Sequence, residues 1–221
     1  MAAANKKGSK VEKVYAYLLN EIVQGRYMND QHIVISAVAD ACGVSDTPVR
    51  EALRRLESDS YVRITANQGA VVVGFSTESI IHTFEIKGVL EGYAARQSID
   101  YLSPYDIQML RKINEDMHQA EQKKEYELFS KLNIKFHMYI YEKCPTPELV
   151  DLICDLWKKW SITKAVFSTA PGRMEESYQE HMRIIELIEQ RDHEGLEAFV
   201  RQHKANAARQ MTTNLHNRKE S

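Results

Sequence analysis

Gly43-Val44-Ser45-Asp46-Thr47-Pro48-Val49-Arg50-Glu51-Ala52-Leu53 is the stretch that decides the reading of this chain. Ser45 is a helix-capping residue, and Pro48 is tolerated in the first turn of the helix it opens. Val49, Ala52, Leu53 and Leu56 recur at three- and four-residue spacing, an apolar stripe on one helix face. Ser45, Thr47, Arg50 and Arg54 can share the outward face, with Arg50 and Arg54 one turn apart. Just upstream, Ser36 is expected to cap a short helix, Ala37–Cys42, stopped by Gly43. Two short helices joined by a tight Gly-Val turn have helix-turn-helix spacing.

The flanks extend this pattern. Val11, Val14, Tyr15, Leu18, Leu19 and Ile22 form the stripe of an earlier helix over about Ser9–Val23, with Gly25 as its stop and Asn29-Asp30 as a later turn. After Ser60 the period changes: Tyr61–Thr65 and Ala70–Val73 are β-rich runs around Asn67, Gln68 and Gly69, which read as a hairpin. Three helices followed by a hairpin make a winged helix-turn-helix. In that arrangement the third helix fits the major groove and its first residues reach base edges. Arg50 and Arg54 can pair with guanine or clamp phosphate. Ser45 and Thr47, at the positive helix N-terminus, suit a phosphate. Gln68, with Gly69 beside it at the hairpin tip, can enter the adjacent minor groove. Spacing alone leaves open a second reading, in which these are ordinary solvated residues of a three-helix domain that contacts other proteins.

Composition bounds the rest. The chain has 221 residues, 43% hydrophobic and 27% charged, a globular balance that excludes bulk disorder. Nine Gly and five Pro leave little turn material for an all-β sandwich. Three Cys without CxxC spacing suggest neither a disulfide framework nor a thiol zinc site, and a reducing cytoplasm fits. No stretch approaches the roughly 18 apolar residues of a membrane span, and residues 1–10 lack the apolar run of a signal peptide. Residues 1–75 carry a balance of +1 and residues 76–221 a balance of −3, so any affinity for DNA rests on local placement of cations.

From Ser76 onward the pattern is helical: about 77–98, 104–123, 125–143, 147–168, 173–190 and 193–215. Ser76, Ser103 and Asp192 supply caps, and Ser103-Pro104-Tyr105-Asp106 joins a cap, an N1 proline and an acid at the third position. The expected architecture is mainly α: a winged helix-turn-helix over 1–75 and an all-α bundle of about six helices over 76–221. His137, His181 and His203 each fall near the middle of a different helix, and Asn133 lies one turn before His137. Imidazoles converging from three helices would suit zinc, nickel or a similar divalent ion. Spacing alone equally allows ordinary surface or core histidines.

Two resemblances sharpen these readings. The run from Gly43 to Leu53 resembles the recognition-helix signature of the GntR family of bacterial transcription regulators, Gly-Val-Ser-x-Thr-Pro-Val-Arg-Glu-Ala-Leu, at every specified position. Asn133-Ile134-Lys135-Phe136-His137, Glu180-His181 and His203 resemble the Asp-x-x-Phe-His, Glu-His and final His of the FCD effector domain, found in the FadR branch of that family. The resemblance implies a DNA-binding regulator, more often a repressor, acting as a homodimer on a double-stranded operator. It also implies a small organic-acid effector and a divalent metal held by Asn133, His137, His181 and His203, with Lys87 and Glu91 at the effector. The chain departs from the family at five places. Asp46 stands where many members have Arg and can accept from a cytosine amino group. Ser36 replaces an Arg that often opens the second helix, and Asn29-Asp30 replaces a Pro-Gly. Asn133 replaces the metal-binding Asp, removing a formal charge. Lys87 replaces Arg and lacks the planar fork; Lys87–Glu91 reads equally as a simple helix pair.

Other function classes are weaker. A metal-dependent hydrolase could use three His to activate water, yet the chain carries no phosphate loop, HExxH or nucleophile elbow. A DNA-independent interaction module would leave the outward Arg pair without a role.

Overall fold

The computed structural model describes residues 9–23, 26–59, 61–65, 69–73, 77–159 and 172–219. The chain divides into two compact units, Met1–Ser76 and Thr77–Ser221.

In the first unit, α1 (Lys10–Val23) buries Val14, Leu18 and Ile22, the inward members of its stripe. Asp30 turns the chain in the left-handed region (φ 61°), a conformation Asp tolerates better than most residues. The chain then forms β1 (His32–Ile33), which pairs antiparallel with β3 (Gly69–Val72); β3 also pairs with β2 (Val62–Thr65), giving the order β1-β3-β2. The wing is therefore three-stranded. Its hairpin pairs Val62 with Val72 and Ile64 with Ala70, one residue earlier on the second strand than the β-rich run suggested. Gln68 lies outside the described residues, as do Gly25, Ser60 and Ser76.

The second helix, α2 (Ile35–Cys42), starts before Ser36. Val34, extended at the end of β1, takes the N-cap position, so Ser36 sits inside the first turn and caps nothing. The strand pairing of residues 32 and 33 holds the backbone extended up to that point, which overrides the local preference for a serine cap. Gly43 ends α2 at φ 65°, where a Cβ would be disfavoured, and its N–H returns to Asp40 O. α3 (Asp46–Ser58) follows with Ser45 at the N-cap position. Val49, Ala52, Leu53 and Leu56 are buried against the unit's core, and Arg55 lies over the Tyr15 ring at 4.4 Å. Tyr15 in turn donates to Asp59 at 2.7 Å, closing the end of α3 onto α1.

The second unit contains α4 (Thr77–Ser98), a 3-10 turn at Ile99–Tyr101, α5 (Pro104–Gln122), α6 (Tyr126–Tyr141), α7 (Pro147–Lys159), α8 (Gly172–Glu189) and α9 (His193–Lys219). The expected continuation of α7 to Ser168 lies outside the described residues. α9 packs along α4, and Gly92 makes the approach possible: a Cβ there would meet Glu197 O at 2.9 Å and Arg201 Cγ at 3.0 Å. Phe129, Phe136, Ile140, Ile153, Ile184, Ile188, Leu196 and Val200 fill the centre, each large side chain contributing on the order of 1.5–3 kcal/mol by leaving water. The capping box is formed at α5, with Asp106 N–H donating to Ser103 Oγ and Ser103 N–H donating to Asp106 Oδ2. Lys143 and Tyr139 also reach Asp106 Oδ1, at 2.8 and 2.9 Å, tying the start of α5 to the end of α6. Burial alone would raise the Asp106 carboxyl, but these donors outweigh it and hold it well below the usual carboxylate range.

Candidate functional site

Two groups of residues merit description, one in each unit. On α3 the stripe that buries Val49, Leu53 and Leu56 leaves Thr47, Arg50 and Arg54 on the open face, all exposed. Among the described residues neither guanidinium has an ion-pair or hydrogen-bond partner. Ser45 and Asp46 are exposed at the helix start, and the Ser45 side chain makes no capping bond. The first-turn N–H groups of α3 therefore lack that internal acceptor. Gly69 opens β3, exposed and at φ 78°. Ser36 is exposed on α2, without the capping role its position suggested.

In the second unit α6, α8 and α9 bring His137, His181 and His203 together, each at most 3% exposed. His137 Nε2 lies 3.1 Å from His203 Nε2 and 3.3 Å from His181 Nε2. The neighbours determine where the ring protons sit. His203 Nδ1 is 2.6 Å from Glu180 Oε2, which can only accept, and 3.1 Å from Arg173 Nη2, which can only donate; the shorter contact, to a carboxylate that Arg173 also binds, assigns the proton to Nδ1. Asn114 donates its amide to Tyr178 O at 3.2 Å and so turns its carbonyl to His181 Nδ1, 3.3 Å away. Tyr141 gives its hydroxyl proton to Glu91 at 2.8 Å and presents a lone pair to His137 Nδ1 at 3.3 Å. All three Nδ1 atoms are thereby protonated, and three Nε2 lone pairs face one another. Desolvation by burial pushes all three imidazoles well below their ordinary range, so they are neutral at pH 7.

Facing lone pairs repel unless a cation lies between them. Two nitrogens bound to one zinc-class ion at about 2.0–2.1 Å lie about 2.9–3.4 Å apart for angles of roughly 90–109°, and the two measured separations fall in that range. Asn133, one turn before His137 and 5% exposed, has an Oδ1 with no hydrogen-bond partner. A buried carbonyl without a partner, on the same helix one turn from His137, fits a further ligand for a divalent ion. Phe136 stacks on His181 at 4.1 Å and packs its apolar face.

A cationic region adjoins this cluster. Lys87 and Glu91, each 1% exposed on α4, form an ion pair at 3.4 Å, and Lys204 from α9 reaches Glu91 Oε2 at 2.8 Å. This is a buried triad, in which the Lys87–Glu91 helix pair is formed and joined by Lys204. Lys87 Nζ has no hydrogen-bond partner and sits 3.6 Å from the centre of the Trp157 ring, which Lys204 also approaches at 4.8 Å. Burial lowers the Lys87 ammonium to about 8 against the opposing pull of Glu91, leaving it mostly charged at pH 7. Arg173, 1% exposed, forms an ion pair with Glu180 and donates to His203 O at 3.3 Å. Lys87, Lys204 and Arg173 stand against Glu91 and Glu180, a balance of one positive charge among these five groups, with the exposed Glu176 also 3.5 Å from Arg173. Sequence reasoning had placed Lys87, Glu91, Asn133 and the histidines here, but not Lys204, Arg173, Tyr141 or Trp157. Lys204 carried a signal, since it directly follows His203 in a helix otherwise read for its histidine.

No helix among the described residues is long and apolar enough to cross a membrane. Residues 82–206, more than half of the chain, match the FCD domain, and residues 10–72 match the bacterial regulatory proteins of the gntR family. The transcriptional regulator McbR of Escherichia coli is 25% identical over 180 residues, 80% of this chain and 81% of its own. The gluconate operon transcriptional repressor of Bacillus subtilis is 25% identical over 185 residues, 81% and 73% of the two chains. A solved structure of E. coli McbR/YncC superposes with a TM-score of 0.65 at 23% identity, covering 96% of this chain and 99% of that one, a likeness of fold. The winged helix-turn-helix and the helical unit thus belong to one recognised arrangement, and the chain is a member of the gntR family of bacterial regulatory proteins, a transcriptional regulator whose second domain is an effector-binding FCD domain.

Proposed function

We propose that this regulator is a homodimeric repressor of the FadR branch, acting in the cytoplasm, that reads a pseudo-palindromic operator through α3 and is controlled by a small organic acid at a metal-assisted site. The observation that carries the proposal is the open face of α3. Arg50 and Arg54 project from it unpaired, beside first-turn N–H groups that Ser45 does not cap, the combination that base edges and a backbone phosphate require. Thr47 and Ser45 add hydroxyl donors to phosphate, Asp46 accepts from a cytosine amino group, Ser36 faces the backbone from α2, and Gly69 brings the wing to the minor groove, where the sequence assigns a contact to Gln68, outside the described residues. Ile86, Val89 and Tyr93, exposed at 54%, 48% and 47% along one face of α4, support association of two copies. The relative named as a gluconate operon repressor supports repression as the sign.

In the helical unit Asn133, His137, His181 and His203 would hold the divalent ion, zinc or nickel by donor type. Such an ion supplies a Lewis-acidic anchor for a carboxylate. The chain's own residues do the rest: Lys87 and Lys204 offset an anion's charge, Trp157 keeps them dry, and Tyr141 and Glu180 orient His137 and His203. The positive interior, with neutral Asn133 where the family has Asp, favours an anionic effector. Effector binding shifts the population of dimer geometries only by its differential affinity for them.

Selection of random duplexes by the full-length protein tests the proposal. The expected result is enrichment of one two-fold symmetric sequence, released by an organic acid in the presence of zinc or nickel; no enrichment of any sequence would overturn the reading.

A further inference from the structure

On the side of the helical unit where α5 meets α8, a second group of donors lies outside the buried cluster. His118 Nδ1 is 3.7 Å from Glu121 Oε2 on its own helix and 4.0 Å from Glu175 Oε2 on α8. Both distances exceed a hydrogen bond, and Nδ1 has no hydrogen-bond partner although it is cut off from solvent. One donor atom from each of the three residues lies within 4.8 Å of the others. Tetrahedral binding of a zinc-class ion needs donor separations of about 3.4 Å, so the two glutamate side chains would close on the ring by about 0.3–0.6 Å to hold one.

The surroundings hold the ring in place. His118 stacks on Tyr178 of α8 at 4.5 Å, with the rings inclined by 21°. Its Nε2 is 2.9 Å from the amide nitrogen of Gln122, which as placed donates to it. An amide presents either its oxygen or its nitrogen by a half-turn, so Gln122 can take the Nε2 proton and leave the Nδ1 lone pair between the carboxylates. Gln179 donates to the other oxygen of Glu175, leaving Oε2 free to face the ring.

We infer that His118, Glu121 and Glu175 form a second, solvent-facing site for a zinc-class divalent cation that pins α5 to α8. Asn114, one turn before His118, meets Tyr178 and His181 across the same pair of helices. A cation at the outer site therefore stiffens the contact that orients His181. That coupling rests on the proposed central centre, whereas the outer site itself does not.

Calorimetric titration of the chelator-stripped, full-length protein with Zn²⁺ separates the two. The expected result is two ions per chain, a tight one lost in His203→Ala and a weaker one whose affinity drops tenfold or more in both Glu121→Gln/Glu175→Gln and His118→Phe, the latter keeping the ring on Tyr178. If the central centre fails and the outer one stands, the protein binds one ion, retained in His203→Ala and lost in the outer variants. An unchanged number of ions and unchanged affinities in both outer variants, or no ion bound at all, would overturn the inference and leave His118 as an imidazole flanked by two carboxylates.

Discussion

Replacing Glu180 by Gln probes the histidine cluster from one step outside it. Glu180 Oε2 takes the Nδ1 proton of His203 at 2.6 Å, and Oε1 accepts from Asn206 at 2.6 Å. Gln has the same size but can donate as well as accept, so the lone pair of His203 is no longer forced toward the centre of the cluster. Losing such an orienting partner typically weakens a metal site about 10–100-fold, or about 1.4–2.8 kcal/mol. With free Zn²⁺ at about 100 times the wild-type Kd, binding stabilises the wild type by about 2.7 kcal/mol. The same concentration stabilises the variant by only about 0.4–1.4 kcal/mol. At roughly 3 °C per kcal/mol for a chain of this size, the zinc-induced rise in Tm falls from about 8 °C to about 1–4 °C. Thermal unfolding of chelator-stripped protein with and without Zn²⁺ measures that increment. It is the increment that matters, because the variant also deprives buried Arg173 of its closer charged partner, leaving Glu176 at 3.5 Å, and lowers Tm in both conditions. An undiminished zinc increment in Glu180→Gln would refute the assignment of the His203 proton and the convergence of lone pairs built on it.

The other perturbations follow from single contacts. Asp106→Asn removes the charge that Lys143, Tyr139 and Ser103 surround, and is expected to cost about 1–3 kcal/mol at pH 7. The folded-state carboxyl lies below its unfolded value of about 3.9, so its stabilisation is complete above that pH and lost as pH falls through the folded value. Urea unfolding should show the wild-type advantage shrinking below about pH 4; a gap constant down to pH 2 would contradict it. Asn133→Asp restores a carboxylate at the orphaned Oδ1 position and is expected to tighten zinc binding by about tenfold, or 1.4 kcal/mol, in the same calorimetric titration; unchanged affinity would place residue 133 outside the ligand set.

The elements most legible in the sequence were those in which local chemistry and periodicity agree. α3 combined a serine at its cap position, a proline in its first turn and an unbroken apolar stripe, and α5 combined Ser103, Pro104 and Asp106 in one capping box. β1 escaped because two residues carry no alternation; it exists through pairing with β3, about forty residues away. That same strand displaced the start of α2 and deprived Ser36 of its cap. The histidines were readable from their spacing and family likeness, because each is a chemically distinctive residue in a helix. Their supports were not. Arg173 and Lys204 are charged residues, which ordinarily face water, and only the assembled helices show them at 1–3% exposure near the histidines. That the Lys87–Glu91 pair is buried and joined by Lys204 could not follow from its i,i+4 spacing alone.

Arg50 bears most directly on the claim that α3 reads DNA. Binding of the full-length protein to its selected duplex, followed by fluorescence anisotropy and footprinting, compares wild type with Arg50→Ala. The account predicts a loss of about 1–3 kcal/mol for each half-site contact, with discrimination relaxed at the contacted base pair. An Arg50→Ala protein with the same affinity, the same protected bases and the same sequence preference would contradict it.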